Sequence, residues 1–256
     1  EYAHVSIPVA ILTWLMIYPM MLKIDFGGVI KSLKEPKGLV LTLIVNWLIK
    51  PFTMYFFVWL FFYHVFADII TADNAKSYLA GAVLLGAAPC TAMVFVWSHL
   101  TKGNPAYTLV QVAVNDLVLL VAFTPIVAFL LGIGGITVPY ATLILSVMLF
   151  VVIPLFLGYL SRRLVIRHKG QEFFEKKFLP TFNGVTIGGL LLTLVIIFSF
   201  QGSVILKQPS VILLIAVPLI IQTFFIFALA YITARFLKLG HDIASPAAMI
   251  GASNFF

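Results

Sequence analysis

The sequence predicts an all-α polytopic membrane protein. Three observations predict it. Of 256 residues, 62% are hydrophobic and 10% charged, with a mean hydropathy of +1.12. Soluble domains hold about 45–50% apolar and about 25% charged residues. Apolar runs of about 20 residues recur between short polar stretches, which is the pattern of membrane helices and not of a barrel. The basic residues also keep to the connections, as the positive-inside rule requires. The net charge of +7 therefore orients a membrane protein and does not indicate nucleic acid.

The spans follow in order: 5–22, 39–62, 78–98, 107–131, 139–160, 184–206, 210–234 and a partial one at 243–256. The first, third, fifth and seventh connections hold thirteen of the sixteen Lys and Arg, which places those loops in the cytoplasm. The chain opens at Glu1 without Met and stops at Phe256 inside an apolar run, so it reads as part of a longer protein. The largest cytoplasmic connection, 161–183, contains EFFEKKF at 172–178, which suits a solvated connector or a short interfacial helix. It separates a first half at 1–160 from a second at 184–256.

The halves look related. GAAPC at 86–90 and GASNF at 251–255 both open Gly-Ala in a small-residue span that a helix-breaking or polar residue interrupts. WLIKPF at 47–52 and LIIQTF at 219–224 share hydropathy and the position of one polar residue. Four spans lie between the two Gly-Ala spans, so a five-span repeat takes opposite orientations in the two halves. Inverted repeats with interrupted helices at matching positions are a transporter architecture, and the interruptions form its site.

Polar residues inside membrane spans are expensive and often functional. Cys90, the one cysteine, follows Pro89, which disrupts the helix before it. A half-helix starting there presents unpaired N–H groups and the positive end of its dipole, with Val94 and Trp97 on the same face as Cys90. The alternative is a buried cysteine acting as a small hydrophobe. Thr108, Gln111 and Asn115 form a stripe at i, i+3 and i+7. Asp116 beside them is a candidate proton or cation site, or else an interfacial carboxylate. Lys50 needs a partner at mid-span, from Asp116, from residues beyond Phe256, or as a brace for the kink at Pro51. Gly184 and Gly188 form GxxxG and predict close helix packing. The histidines fall at span ends or in loops. HExxH, GxSxG and P-loop patterns are missing, which argues against a membrane protease, a primary pump or another enzyme.

GAAPCTAMVFVW (86–97), NDLVLL (115–120) and GASNFF (251–256) resemble the Acr3-type arsenite efflux permeases of the bile acid/arsenite/riboflavin transporter superfamily. WLMIYPMMLKIDF (14–26) and NWLIKPF (46–52) are similar too. The resemblance implies a ten-helix (5+5) inverted-repeat fold with two broken crossing helices, of which about eight spans fall in this chain. The first repeat then lacks its first helix and the second is truncated in its fourth. It implies that Cys90 is the substrate thiol and that Trp97, Asn115, Ser253 and Asn254 match positions associated with transport. A glutamate follows the SNFF-type stretch in the family, a place that lies past Phe256 here, and Asp116 is the other coupling candidate.

Arsenite at neutral pH is an uncharged trihydroxide with a soft, thiophilic centre, so a single thiol with polar neighbours suits it. The implied activity is export of arsenite, and of antimonite if the site accepts it, across the cell membrane in exchange for protons. No cofactor beyond the proton gradient is implied, the lipid bilayer is the surrounding partner, and oligomeric state is left open. Two alternatives stand: a sodium-coupled symporter of organic anions on the same fold, and a non-transporting metalloid sensor.

Overall fold

The computed structural model describes residues 7–22, 36–87, 94–135 and 140–254. These residues are helical throughout, apart from turns and short connections. In chain order they form α1 (Ile7–Leu22), α2 (Pro36–Val65), α3 (Ala72–Gly86), α4 (Val94–Leu100) and α5 (Pro105–Ile133). A run over 140–169 makes α6 (Tyr140–Val147, π-helical Met148–Val152, then Ile153–Lys169). α7 comprises Gln171–Phe173, a π-helical Phe174–Phe178 and Leu179–Lys207. α8 (Pro209–Phe236) and α9 (His241–Ala252) complete the order.

Five helices among the described residues are long and apolar enough to cross a membrane: Pro36–Val65, Pro105–Ile133, Met148–Lys169, Gln171–Ser203 and Pro209–Phe236. The expected span at 78–98 is not one helix. α3 stops at Gly86 with Ala87 as its cap, and α4 resumes at Val94. The intervening residues, Pro89 and Cys90 among them, lie outside the described set. EFFEKKF does not form a separate connector either, because its π turn runs directly into Leu179–Lys207.

Three of the π-helical stretches have one local cause. Ile44–Ile49, Met148–Val152 and Phe174–Phe178 end two residues before Pro51, Pro154 and Pro180. Proline lacks the N–H and crowds the carbonyl four residues back, so the hydrogen-bond ladder widens ahead of it.

The described chain forms two compact units, 1–24 with 141–209 and 25–140 with 210–256. This is a partition by packing, distinct from the division into sequence halves. In the first unit α1 packs against α6 and α7. The Tyr18 hydroxyl donates to Ser161 Oγ at 2.8 Å, and the Tyr18 ring meets Phe182 edge-on at 5.9 Å. Arg162 lies 5.0 Å over the Phe174 ring. Gly184 and Gly188 do not serve close packing, since a Cβ at either would meet nothing within 4 Å.

The second unit is built on small residues. Ala230 and Ala234 of α8 pack with Ala244 and Ala248 of α9, against Leu41 and Val45 of α2. Without bulky side chains the helix backbones approach closely, which is how helices associate in lipid. The two Gly-Ala positions share this purpose. A Cβ on Gly86 would come within 2.6 Å of Met54 Cγ, and one on Gly251 within 3.0 Å of Val45 Cγ1. Both interrupted spans thus press a glycine onto α2.

Candidate functional site

The second unit contains a buried polar cluster held by α2, α5, α8 and α9. Its foundation is the turn that leads into α5. Asn104 caps that helix by accepting from the Tyr107 N–H at 3.1 Å, and its own N–H donates to the Asp242 carbonyl at 2.9 Å. Ser245 donates to Thr101 Oγ1 at 2.7 Å, and the His241 ring lies 2.9 Å from the Thr101 carbonyl. The start of α9 is therefore fastened to the α4–α5 turn. His241 is no bare solvated end, because it also meets the Tyr231 hydroxyl at 3.0 Å.

Above that foundation the polar stripe of α5 becomes a hydrogen-bonded ladder. The Thr108 and Ser98 hydroxyls lie 2.7 Å apart. Gln111 Nε2 donates to Thr42 Oγ1 at 2.9 Å, and Thr42 donates to the Gly38 carbonyl at 2.8 Å. One turn further, Asn115 Oδ1 accepts from both Asn46 Nδ2 (2.9 Å) and Trp47 Nε1 (3.1 Å). Asn115 Nδ2 donates back to the Gln111 carbonyl at 2.8 Å. Asn46 and Trp47 are consecutive, and they reach one acceptor from the widened π turn ahead of Pro51. Such π segments recur at functional sites.

α9 ends at the top of this ladder. Ser253 leaves the helix in an extended conformation (φ −72°, ψ 135°), and its hydroxyl donates to the Ile250 carbonyl at 2.7 Å. The Ser253 carbonyl accepts a hydrogen bond from Lys50 Nζ. Lys50 is fully buried. An ammonium out of water costs several kcal/mol, and the carbonyl at the negative end of a helix dipole offsets part of that cost. Lys50 thus serves the end of α9. Asp116, 5% exposed, forms no ion pair or hydrogen bond among the described residues. Asn254 Nδ2 reaches Thr223 Oγ1 of α8 at 3.5 Å, the long limit for such a bond.

Several buried amide atoms have no partner among the described residues: Asn46 Oδ1, Gln111 Oε1, Gln222 Oε1 and Nε2, and Asn254 Oδ1. Native interiors leave few such atoms, and each requires an explanation. Asn254 lies where α9 stops, which is where carriers receive polar ligands, whereas Gln111 lies beside Gly38, level with Ile243 at the start of α9.

The residues singled out in the sequence divide accordingly. Ser253 and Asn254 stand at the end of α9, with Lys50 joined to Ser253. Asn115 is in the cluster, but its amide is committed to Asn46, Trp47 and its own helix. Trp97 is separate: its side chain is 47% exposed, while Val94 and Ser98 on the same helix are buried. Cys90 lies outside the described residues. Asn46, Gln222 and Thr223 carried no assignment from the sequence. For Gln222 the signal was present, since LIIQTF aligns it with Lys50 of WLIKPF and both are fully buried.

Apolar spanning helices enclosing a buried, incompletely satisfied polar cluster define a multi-pass membrane transporter. The chain belongs to the Sodium Bile acid symporter family, which it matches over residues 10–208. It is 67% identical over 256 residues to the arsenical-resistance protein Acr3 of Alkaliphilus metalliredigens, covering 100% of this chain and 72% of that relative. An uncharacterized transporter of Synechocystis, slr0944, is 47% identical over 262 residues, covering 99% and 68%. The arsenical-resistance protein Acr3 of Corynebacterium glutamicum is 30% identical over 266 residues, covering 100% and 69%. The resemblance read from GAAPCTAMVFVW, NDLVLL and GASNFF is borne out by these identities.

Proposed function

We propose that the protein exports arsenite from the cell by secondary active transport in exchange for protons. The observation that carries this is the 67% identity, over the whole chain, to an arsenical-resistance protein. The site supports it. The unpartnered groups at the end of α9 are uncharged amides, suited to a neutral trihydroxide and not to a strongly charged solute. In this reading Cys90 supplies one soft ligand to As(III), and Ser253 and Asn254 with their neighbours receive the hydroxyl groups. Asn115 holds Asn46 and Trp47 in place for them. The proton is carried by Asp116 or by the glutamate that the family resemblance implies after the SNFF-type stretch. The full architecture is a ten-helix inverted repeat with two broken helices crossing at the site, in the cell membrane with its basic loops cytoplasmic. Antimonite, with the same hydroxide chemistry, is a second substrate of the same path.

The test is arsenite uptake into everted membrane vesicles under an imposed pH gradient, with full-length protein as wild type and Cys90→Ser at matched expression. Proton-driven uptake that the substitution abolishes is the expected result. Unchanged uptake in the variant removes the thiol from the mechanism. The family's description favours one rival, a sodium-coupled symporter of organic anions. That rival requires solute movement to follow an imposed sodium gradient, and the same vesicles decide it.

A further inference from the structure

Gln222 lies on the buried face of α8 with Pro218, Ile226, Ala230 and Ala234, a stripe that is otherwise apolar. It is fully buried, and neither end of its amide has a hydrogen-bond partner among the described residues. An unpaired buried amide costs about 1–3 kcal/mol, and an aliphatic side chain of similar volume would avoid that cost. A glutamine at such a position calls for a partner beyond the protein's described side chains, a bound solute or ordered water.

Its place in the fold identifies the site. Ile226, one turn along α8, lies against Gly251 of α9, whose Cβ would sit 3.4 Å from Ile226 Cγ2. Thr223, the next residue, accepts from Asn254. Gln222 is therefore level with the end of α9, where Asn254 Oδ1 is also unpartnered and Lys50 is anchored on Ser253.

The unpartnered atoms also describe their ligand. Asn46, Gln222 and Asn254 each leave an amide oxygen without a donor among the described residues, whereas the one unpartnered amide nitrogen belongs to Gln222. A set rich in acceptors suits a solute carrying several O–H donors. Gln222 alone in this set offers both functions, accepting from one hydroxyl while donating to the oxygen of another.

Resting on the arsenite-export reading above, we infer that Gln222 contacts the substrate and sets specificity for the trihydroxide. Neither the sequence motifs nor the relatives assign it. The experiment measures arsenite uptake kinetics in everted vesicles and melting of the detergent-solubilised protein, for full-length wild type, Gln222→Leu and Gln222→Met. Methionine keeps the unbranched shape if leucine disturbs folding. Loss of one or two neutral hydrogen bonds corresponds to about a tenfold or greater rise in apparent KM for arsenite. That rise, with melting temperature unchanged or higher, is the expected result. An unchanged KM with a raised melting temperature overturns the assignment and makes Gln222 an unpaired core residue. Wild-type vesicles that take up no arsenite overturn the export reading itself, and this assignment with it.

Discussion

The two packing units are made from similarly apolar helices but bury different things. In the unit formed by 1–24 and 141–209, Thr193 is the buried polar side chain among the described residues, and it donates to the Gly189 carbonyl of its own helix. In the unit formed by 25–140 and 210–256, Thr42, Asn46, Lys50, Ser98, Thr108, Gln111, Asn115, Asp116, Gln222 and Ser245 are all buried. The first unit has a groove of roughly 530 Å³ lined by Ile11, Trp14, Tyr18, Leu157 and Phe182 among others, and it offers almost no polar surface. Volume alone is thus a poor guide to a transport site in such a chain. The better guide is where polar groups are taken out of water and left incompletely paired, because a bound solute, an ion or ordered water must offset that cost.

The comparison breaks if the polar interior of the second unit is not what holds it together. Asn115→Leu is the severest test, since it removes the acceptor shared by Asn46 and Trp47 and strands two buried donors. The expected loss is about 2–4 kcal/mol of stability, read as a lower melting temperature in detergent, together with loss of arsenite transport. A variant that melts like wild type would show that the ladder is not structural.

Glycines sharpen the contrast. Gly251→Val forces side-chain atoms against Val45 and Ile226, and overpacking of this kind costs about 1–3 kcal/mol. Gly184→Ala in the other unit enters open space and is expected to be neutral or to stabilise α7 by up to about 1 kcal/mol, from helix propensity alone. Thermal melting of the two variants side by side measures the difference. The smallest effect belongs to Tyr18→Phe, which deletes one half-buried hydrogen bond to Ser161. It is expected to cost about 0.5–1 kcal/mol and to leave vesicle transport unchanged.

Much of the site was legible before any coordinates. The stripe of Thr108, Gln111 and Asn115 follows from helical spacing, and the structure turns those residues into one buried ladder. The interruption in 78–98 was legible too, because Pro89 falls inside an apolar run, and α3 does stop at Gly86. The packing expectation at GxxxG failed for a physical reason. GxxxG at Gly184 and Gly188 describes a surface that permits close packing, yet nothing among the described residues packs there. Trp97 shares a helix face with Val94 by spacing, but burial divides them because Val94 packs with Val112 and Ile250. The hydrogen bonds that Asn115 makes with Asn46, Trp47 and the Gln111 carbonyl are not given by its place in the stripe.

What the sequence determined by itself is the class of molecule: helices long and apolar enough to span lipid, cytoplasmic basic loops as an expectation from charge, and a family signature at the interrupted spans. Composition and period decide these, because the solvent outside each helix is the bilayer and every backbone group must be satisfied within the helix. Tertiary structure decided which polar side chains are used up and which remain open. Lys50 is bound to the Ser253 carbonyl, Asn115 holds Asn46 and Trp47, and Gln222, next to the Thr223 that meets Asn254, is unpaired among the described residues. Hydrogen bonds between groups about 70 to 200 residues apart leave no local trace in the chain, since they depend on how closely small residues let the helices approach.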